Sequence, residues 1–177
     1  YFFYDLDNWK QNGQPTCFVS LTRNNFWHVT KMDLTDYCQI EVVYSDGWGR
    51  KLESKKKVEP GLSWLYDGHN KLKLGKDGKP LDQNEQDRWQ VKGRSTYNNK
   101  GKVVKKYFPY FINTPLYVPD IQHSTPPGIN YYDALIRPVQ VDSPKGFFTL
   151  LVFSAWDESY YDQDDTVDKS PFYISFK

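Results

Sequence analysis

Three short stretches decide the fold: Asp46-Gly47-Trp48-Gly49-Arg50-Lys51-Leu52, Asn98-Asn99-Lys100-Gly101-Lys102-Val103-Val104 and Asp133-Ala134-Leu135-Ile136-Arg137-Pro138-Val139. Each has a polar residue, two variable positions, a turn-forming position, and then a basic residue and an apolar run. Tyrosines stand just upstream of all three, and residues 66–72 form a weaker copy. We interpret the repeated unit as a β-hairpin.

The residue types of this unit explain the turn. Asp46, Asn98 and Asp133 begin it because their side chains accept hydrogen bonds from the backbone two residues on. Gly49 and Gly101 supply a positive φ without a Cβ penalty, and Arg50, Lys102 and Arg137 begin the return strand with their charges in water. The third copy has Ile136 in place of glycine. Because a β-branched residue tolerates positive φ poorly, we expect that turn to differ in type or to be strained.

The composition indicates an all-β protein. Aromatic residues make up 18% of the chain, with 14 Tyr, 11 Phe and 6 Trp, alongside 11 Gly and 11 Pro. Aromatic side chains suit pleated sheets and Gly and Pro punctuate turns, whereas Ala and Met are scarce. Strands are predicted at 16–22, 39–44, 51–58, 89–97, 103–111, 138–142, 147–154 and 172–176. The apolar run 147–153 is expected to be buried on both faces.

The length of 177 residues predicts one region spanning 1–177, with exposed loops near 70–85 and 113–130. The chain does not begin with Met, which indicates a piece of a larger protein. With 23 basic and 22 acidic residues, nothing favours nucleic acid or an anionic membrane as a partner. The runs Lys55-Lys56-Lys57 and Lys105-Lys106 are predicted to be solvated strand faces. No stretch is long enough for a membrane-spanning helix.

Motifs of catalysis are absent from the sequence, and we predict neither an enzyme nor a cofactor. His28, His69 and His123 lack metal-type spacing. Cys17 and Cys38 could pair if their strands are neighbours, but two free thiols packed as small apolar residues are favoured. An acidic stretch offers weak candidates for a cation site, although a solvated turn rich in Asp is favoured over it. Those candidates are Asp162, Asp164, Asp165 and Asp168.

The six tryptophans leave an alternative open, a carbohydrate-binding β module that uses exposed Trp and Tyr rings. Trp89 and Trp156 lie in or just after predicted strands and are expected in the core, because Trp buries a large area. Trp48 lies in a turn and is the one candidate for a functional ring.

The turn sequences and the segments between them resemble a known family. Tyr44-Ser45-Asp46-Gly47-Trp48-Gly49-Arg50 followed by Val58-Glu59-Pro60-Gly61 resembles the YD-repeat (Rhs-type) region of the B component of bacterial insecticidal toxin complexes, an SpvB-related family. Residues 88–102, 106–111, 132–139, 161–167 and 170–173 look like the same region in the same order. The resemblance covers nearly the whole chain; Ile136 and the 71–82 loop depart from it.

The resemblance implies irregular antiparallel hairpins that extend one sheet as part of a larger, hollow shell. It implies a structural, non-catalytic segment of a secreted toxin, whose shell encapsulates a cytotoxic effector and helps to deliver it. The implied partners are neighbouring YD repeats, the C component and, indirectly, the A-component pore, with no direct membrane insertion.

Overall fold

A computed structural model describes residues 1–23, 38–69, 71–119, 121 and 125–175. The fold is almost entirely antiparallel β-sheet, which confirms the all-β prediction. The chain forms two compact units: residues 1–94 with 108–125, and residues 95–107 with 126–177. Within the described residues, no helix is long and apolar enough to cross a membrane.

The first unit contains an eight-stranded sheet with the order β1-β2-β3-β4-β7-β10-β5-β6. Its neighbouring strands pair antiparallel, except for β10 and β5, which run parallel. A five-residue helix, α1 (Asn8–Asn12), follows the first strand. The strands are β1 (Phe2–Asp5), β2 (Thr16–Arg23), β3 (Cys38–Ser45), β4 (Lys51–Val58), β5 (Gly61–Trp64), β6 (Asp82–Glu85), β7 (Arg88–Lys92) and β10 (Tyr110–Ile112).

The second unit contains a six-stranded antiparallel sheet with the order β14-β13-β12-β11-β9-β8. A 3-10 helix (Val167–Lys169) and a short helix, α2 (Pro171–Ile174), follow the last strand. The strands are β8 (Ser95–Tyr97), β9 (Val103–Lys106), β11 (Gly128–Tyr132), β12 (Pro138–Asp142), β13 (Phe148–Phe153) and β14 (Glu158–Tyr161).

Two of the predicted strands are each divided between the two sheets. The predicted strand 89–97 becomes β7 and β8, and 103–111 becomes β9 and β10. Gly93 has φ 67°, which interrupts the first strand, and Pro109, which has no N–H to donate, lies in the break of the second. The chain therefore moves from one sheet to the other at a glycine and returns at a proline.

The predicted strand at 172–176 is wrong over its described part, where α2 begins instead. The Ser170 hydroxyl accepts a hydrogen bond from the backbone N–H of Tyr173 at 3.2 Å, and Pro171 occupies the first turn. Serine as N-cap followed by proline is a favoured helix start. The apolar residues that suggested a strand are therefore held in a helical turn.

The core of the first unit lies on its sheet and on the segment that follows β10. Val91, Ile112, Val118 and Ile121 are buried. Two of these belong to the 113–130 region, so that region is not uniformly exposed as predicted. The region 71–85 is mostly exposed, although Leu72 is buried and isolated bridges join Tyr66 to Leu72 and Leu74 to Pro80.

In the second unit, by contrast, most residues of the sheet are half-buried. Strand β13 was expected to be buried on both faces, but its residues are half-buried and Val152 is 47% exposed. Trp156, expected in the core, is 93% exposed in the turn after β13, whereas Trp89 in the first unit is buried as predicted. The expectation for β13 is wrong, because no residue of this strand is fully buried.

The two cysteines lie far apart on paired strands. Cys17 in β2 stands opposite Tyr44, and Cys38 in β3 stands opposite Arg23, at the far end of the ladder. Both thiols are free, as the sequence predicted. His28 and His123 lie outside the described residues, as does Trp27.

Candidate functional site

The three repeat turns share one hydrogen-bonding frame. The backbone N–H of the first residue donates to the carbonyl of the fifth, and the N–H of the fourth donates to the carbonyl of the first. The two distances are 3.0 and 3.0 Å at Asp46–Arg50, 2.9 and 3.0 Å at Asn98–Lys102, and 3.0 and 3.0 Å at Asp133–Arg137. Each turn connects two paired strands of a sheet.

The side chain of the first residue organises each turn. Asp46 Oδ1 accepts from the backbone N–H groups of Trp48 and Arg50, both at 2.9 Å, and its Oδ2 accepts from Arg50 Nε at 2.6 Å. Asp133 pairs in the same way with Arg137, at 2.8 Å to the backbone and 2.7 Å to Nε. Although desolvation opposes the shift, the hydrogen bonds from Arg50 and Arg137 lower the pKa of Asp46 and Asp133.

Ile136 adopts the conformation that glycine has in the other two turns. Its φ is 68°, against 76° for Gly49 and 78° for Gly101, and it is the one non-glycine residue with positive φ within the described ranges. The turn is therefore of the same type, and its backbone is strained. The Arg137 guanidinium that follows lies 4.2 Å from the centre of the Phe153 ring, which fixes the start of the return strand.

Two further turns with this frame escaped the sequence reasoning. They are Ser143–Phe147, with distances of 2.7 and 2.9 Å, and Gly75–Lys79, with 2.8 and 3.1 Å. Their fourth residues, Gly146 and Gly78, have φ 86° and 75°. Both turns have a glycine three residues after their first residue, and this spacing is the sequence signal from which they could have been predicted. The weaker copy differs, because at Asp67 the positive φ of 86° falls on Gly68, the second residue.

A buried cluster of three charges lies in the first unit, where the sequence indicated none. Arg94 Nη1 donates to Glu53 Oε2 at 2.7 Å, and Lys55 Nζ lies 3.6 Å from Glu53 Oε1. Glu53 and Lys55 are fully buried and Arg94 is 4% exposed. The prediction that Lys55 belongs to a solvated face is therefore wrong, because residues 113–119 cover it.

The charge cluster holds residues 113–119, which we call the strap, by their backbone carbonyls. Lys55 Nζ donates to the carbonyls of Thr114 at 3.4 Å and Leu116 at 2.5 Å. Arg94 Nη2 donates to the carbonyl of Pro119 at 2.8 Å. The strap is therefore attached through its backbone carbonyls to the side chains of Lys55 and Arg94.

Aromatic residues complete this attachment. The Tyr44 hydroxyl donates to the carbonyl of Pro115 at 2.9 Å. The Tyr117 ring of the strap lies 5.6 Å from the Tyr44 ring and 4.6 Å from the Arg94 guanidinium. These contacts cover the charged groups with apolar surface, which strengthens their interactions and excludes water.

Burial alters the protonation of the groups under the strap. Desolvation lowers the pKa of Lys55 to about 8; Glu53 opposes this shift and Arg94 adds to it. Desolvation raises the pKa of Tyr44 and of Tyr110, and the Glu53 carboxylate adds to both shifts. The cluster is therefore a charged structural site from which solvent is excluded.

The acidic stretch of the second unit forms a turn. Asp162 Oδ1 accepts from the backbone N–H groups of Asp164 at 2.8 Å and Asp165 at 3.1 Å, and Asp165 Oδ2 accepts from the Asp162 N–H at 3.1 Å. Asp168 lies further on, in the 3-10 helix. Across the part of the chain that the structure describes, no three His, Cys, Asp or Glu side chains are grouped as metal ligands would be.

The exposed tryptophans occupy separate elements. Trp48 is 86% exposed at the tip of the β3–β4 turn, Trp9 is 58% exposed in α1, and Trp156 lies between β13 and β14. Each is a single ring on its own element rather than one of a row along a strand.

These features define the class: an all-β protein built from repeated Asp/Asn-x-x-Gly-Arg/Lys hairpins. Solved structures show which proteins share the fold. The chain matches the crystal structure of TcdB2-TccC3 with a TM-score of 0.80 and 28% identity over 95% of its length. It matches the Photorhabdus luminescens Tc holotoxin pore with a TM-score of 0.75 and 27% identity over 88%, and TcdB2-TccC3-Cdc42 with 0.76 and 27% over 91%.

The chain is therefore similar, over nearly its whole length, to a region of the Tc toxin B component, which confirms the resemblance seen in the sequence. It spans 8% of the matched TcdB2-TccC3 chain and 7% of the other two. No family model and no curated protein matches the chain.

Proposed function

We propose that the chain is a non-catalytic wall segment of a toxin-complex B component, part of a shell that encapsulates a cytotoxic effector and helps to deliver it. The observation that carries the proposal is the match to TcdB2-TccC3 over 95% of the chain at a TM-score of 0.80. Because the chain spans 8% of that structure's chain, its contribution is to a larger assembly.

Surfaces of both units support a role as part of a wall. Strand β1, at one edge of its sheet, is exposed at every residue and carries Phe2, Phe3 and Tyr4. Strand β14, at the edge of the other sheet, is exposed throughout and carries Tyr160 and Tyr161. Unprotected apolar edges of this kind pair with further strands. The half-buried strands of the second unit likewise suit contact with neighbouring repeats.

The polar groups support a structural role rather than catalysis. Asp46, Asp133 and Asp162 direct their oxygens to backbone N–H groups of their own turns. Glu53 and Lys55 are fully buried, so no substrate reaches them without a rearrangement. The proposed partners are neighbouring YD repeats, the C component and, indirectly, the A-component pore of a secreted complex.

Protection of the effector tests this function. The full-length protein is assembled with its C component, and protease digestion of the enclosed effector is followed by mass spectrometry. Val91→Asp, which places a charge in the buried core of the first sheet, is expected to give complexes whose effector is digested faster. Trp48→Ala, in an exposed turn, is the control. Equal digestion of free and assembled effector, or protection unchanged by Val91→Asp in an intact complex, contradicts the proposal.

A carbohydrate-binding module is the second candidate, favoured by the exposure of Trp48 and Trp156. Sugar binding to an exposed ring quenches Trp fluorescence. We expect no quenching by a panel of mono- and oligosaccharides. Saturable quenching that is lost in Trp48→Ala or Trp156→Ala would support the module over the wall segment.

A further inference from the structure

Asn113, the first residue of the strap, continues the pairing of β10 with β5, because its backbone N–H donates to the Trp64 carbonyl at 3.1 Å. Beyond Asn113 the strap is held by side chains rather than by a strand ladder. Its carbonyls at Thr114, Pro115, Leu116 and Pro119 all accept from side chains, namely those of Lys55 on β4, Tyr44 on β3 and Arg94 just after β7. Two of the four residues are prolines, which have no N–H to pair with a neighbouring strand. A segment attached in this way can leave the sheet without breaking the backbone pairing of β4, β7 and β10 with one another.

The charge beneath the strap is unbalanced. Glu53 is one carboxylate that serves two cations, Lys55 at 3.6 Å and Arg94 at 2.7 Å. The Arg94 contact is the shorter, and a guanidinium does not lose its proton in a protein. Burial of the remaining ammonium disfavours its charged form. When the strap closes, Lys55 is therefore the group of this cluster that loses a proton most readily.

We propose that residues 114–119 of the strap open as a unit and that opening is coupled to proton uptake by the Lys55 amine. The proposal concerns the fold of the first unit and does not depend on the shell function.

Burial of the Lys55 ammonium determines the direction of the coupling, and the charged and titratable groups around Lys55 modify it. They are Glu53 on β4, Arg94 after β7, Tyr44 on β3, Tyr110 on β10 and Tyr117 on the strap. In the closed state, Lys55 gives up its proton at about pH 8. In the open state it keeps the proton to about pH 10.4, as lysine does in water. Between these values the closed strap binds fewer protons, so rising pH favours closure. The pKa of Tyr44 and of Tyr110 is raised, so both hydroxyls stay protonated in the closed state through this interval.

Acetylation of Lys55 measures this coupling in the full-length protein. Acetic anhydride reacts with neutral amines, and Lys55 is reached only when the strap is open. Between pH 8 and 10 the neutral fraction of a solvent-exposed lysine rises about 70-fold. Lys55 reacts through the open state, and the open fraction falls as pH rises. The acetylation rate of Lys55 is therefore proportional to the neutral fraction of Lys55 in the closed state, which rises only about twofold over this interval. Peptide mass spectrometry measures the acetylation rates of Lys55 and of the exposed Lys92. The ratio of the Lys55 rate to the Lys92 rate is therefore expected to fall about 35-fold between pH 8 and 10.

Two further measurements separate strap opening from global unfolding. Low concentrations of urea are expected to change Lys55 acetylation much less than they change global unfolding, because opening of the strap exposes less surface than unfolding of the whole unit. Tyr44→Phe, which removes the hydrogen bond to the carbonyl of Pro115, is expected to raise the rate of Lys55 acetylation severalfold at every pH. Tyr160→Phe, at an exposed position of β14, is the matched control and should leave the rate unchanged.

Either of two results overturns the proposal. A Lys55-to-Lys92 rate ratio that stays constant between pH 8 and 10 shows that opening is not coupled to the proton. A Lys55 rate with the full urea dependence of global unfolding, unaffected by Tyr44→Phe, shows that the strap does not open by itself.

Discussion

At the scale of single residues, the turns show how one backbone angle limits the choice of side chain. Gly49 and Ile136 occupy the same place in the same hydrogen-bonding frame, with φ of 76° and 68°. The aspartates that begin these turns bind the fifth residue at both its backbone and its guanidinium. The same aspartate hydrogen bonds thus form whether the fourth residue is glycine or isoleucine.

Two substitutions in one turn separate backbone strain from steric clash. Gly49→Ala is expected to lower the free energy of unfolding by about 1 kcal/mol, because alanine is strained at positive φ. A Cβ at Gly49 meets no atom within 4 Å, and the same holds for Gly47, whose φ is not positive. Gly47→Ala is therefore the control and should leave stability unchanged or slightly raised in urea denaturation. Equal effects at the two positions would contradict the explanation.

Ile136→Gly is expected to have the opposite effect and raise the free energy of unfolding by about 0.5–1 kcal/mol. Glycine removes the backbone strain that isoleucine has at positive φ, and this gain outweighs the loss of a half-buried side chain. The control is Leu135→Gly in the same turn, which removes an exposed side chain and costs about 0.5–1 kcal/mol in chain entropy. A destabilised Ile136→Gly would show that side-chain packing at this turn dominates the strain.

At the scale of elements, the strap and the charge cluster depend on each other. The strap covers the charged side chains of the cluster, whose burial without partners would be costly. The cluster in turn supplies the hydrogen bonds that hold the strap. Neither part is evident from its local sequence, because Lys55 sits between two other polar residues of β4 and Arg94 follows the glycine that ends β7.

Glu53→Gln tests this dependence. The substitution keeps the shape of the side chain but leaves Arg94 and Lys55 buried without a counter-charge, so a loss of about 3–5 kcal/mol is expected in chemical denaturation. Glu59→Gln, at an exposed position just after β4, should change stability by less than about 0.5 kcal/mol. A loss below about 1 kcal/mol for Glu53→Gln would mean that the cluster is already neutral or hydrated.

The lowered pKa of Lys55 also predicts how stability depends on pH. The unfolded chain binds a proton at Lys55 that the folded chain has released, so the free energy of unfolding should rise from about pH 8. Above about pH 10 it should fall, because Tyr44 and Tyr110 keep protons that the unfolded chain loses. Urea denaturation at a series of pH values measures both limbs. In Lys55→Met the rising limb should disappear, and its persistence would assign the rise to another group.

At the scale of the whole molecule, the two units differ in how completely they bury their apolar residues. The first unit has a buried core that includes Val91, Ile112 and Val118, whereas β13 in the second is half-exposed. Apolar edges and incompletely buried strands destabilise an isolated chain, whereas they provide contact surface for a segment that meets further strands.

Residues 1–177 expressed alone are therefore expected to self-associate. Phe3→Lys, which places a charge in the exposed edge strand β1, should reduce the associated fraction in size-exclusion chromatography. Trp48→Lys, at an even more exposed position in a turn, should leave it unchanged. A wild-type chain that elutes as a monomer and melts cooperatively would favour an autonomous module over a wall segment.

The sequence by itself determined the all-β class, the hairpin turns and the bounds of strands such as β4 and β12. These depend on local chemistry: an Asp or Asn that bonds its own backbone, and aromatic residues suited to a pleat. The tertiary structure decided what long-range contacts control. It divided the predicted strands 89–97 and 103–111 between two sheets and placed Trp156 in solvent. It also buried Lys55 beneath carbonyls that lie 59 and 61 residues further along the chain, because burial of a charge is decided by the groups that fold over it.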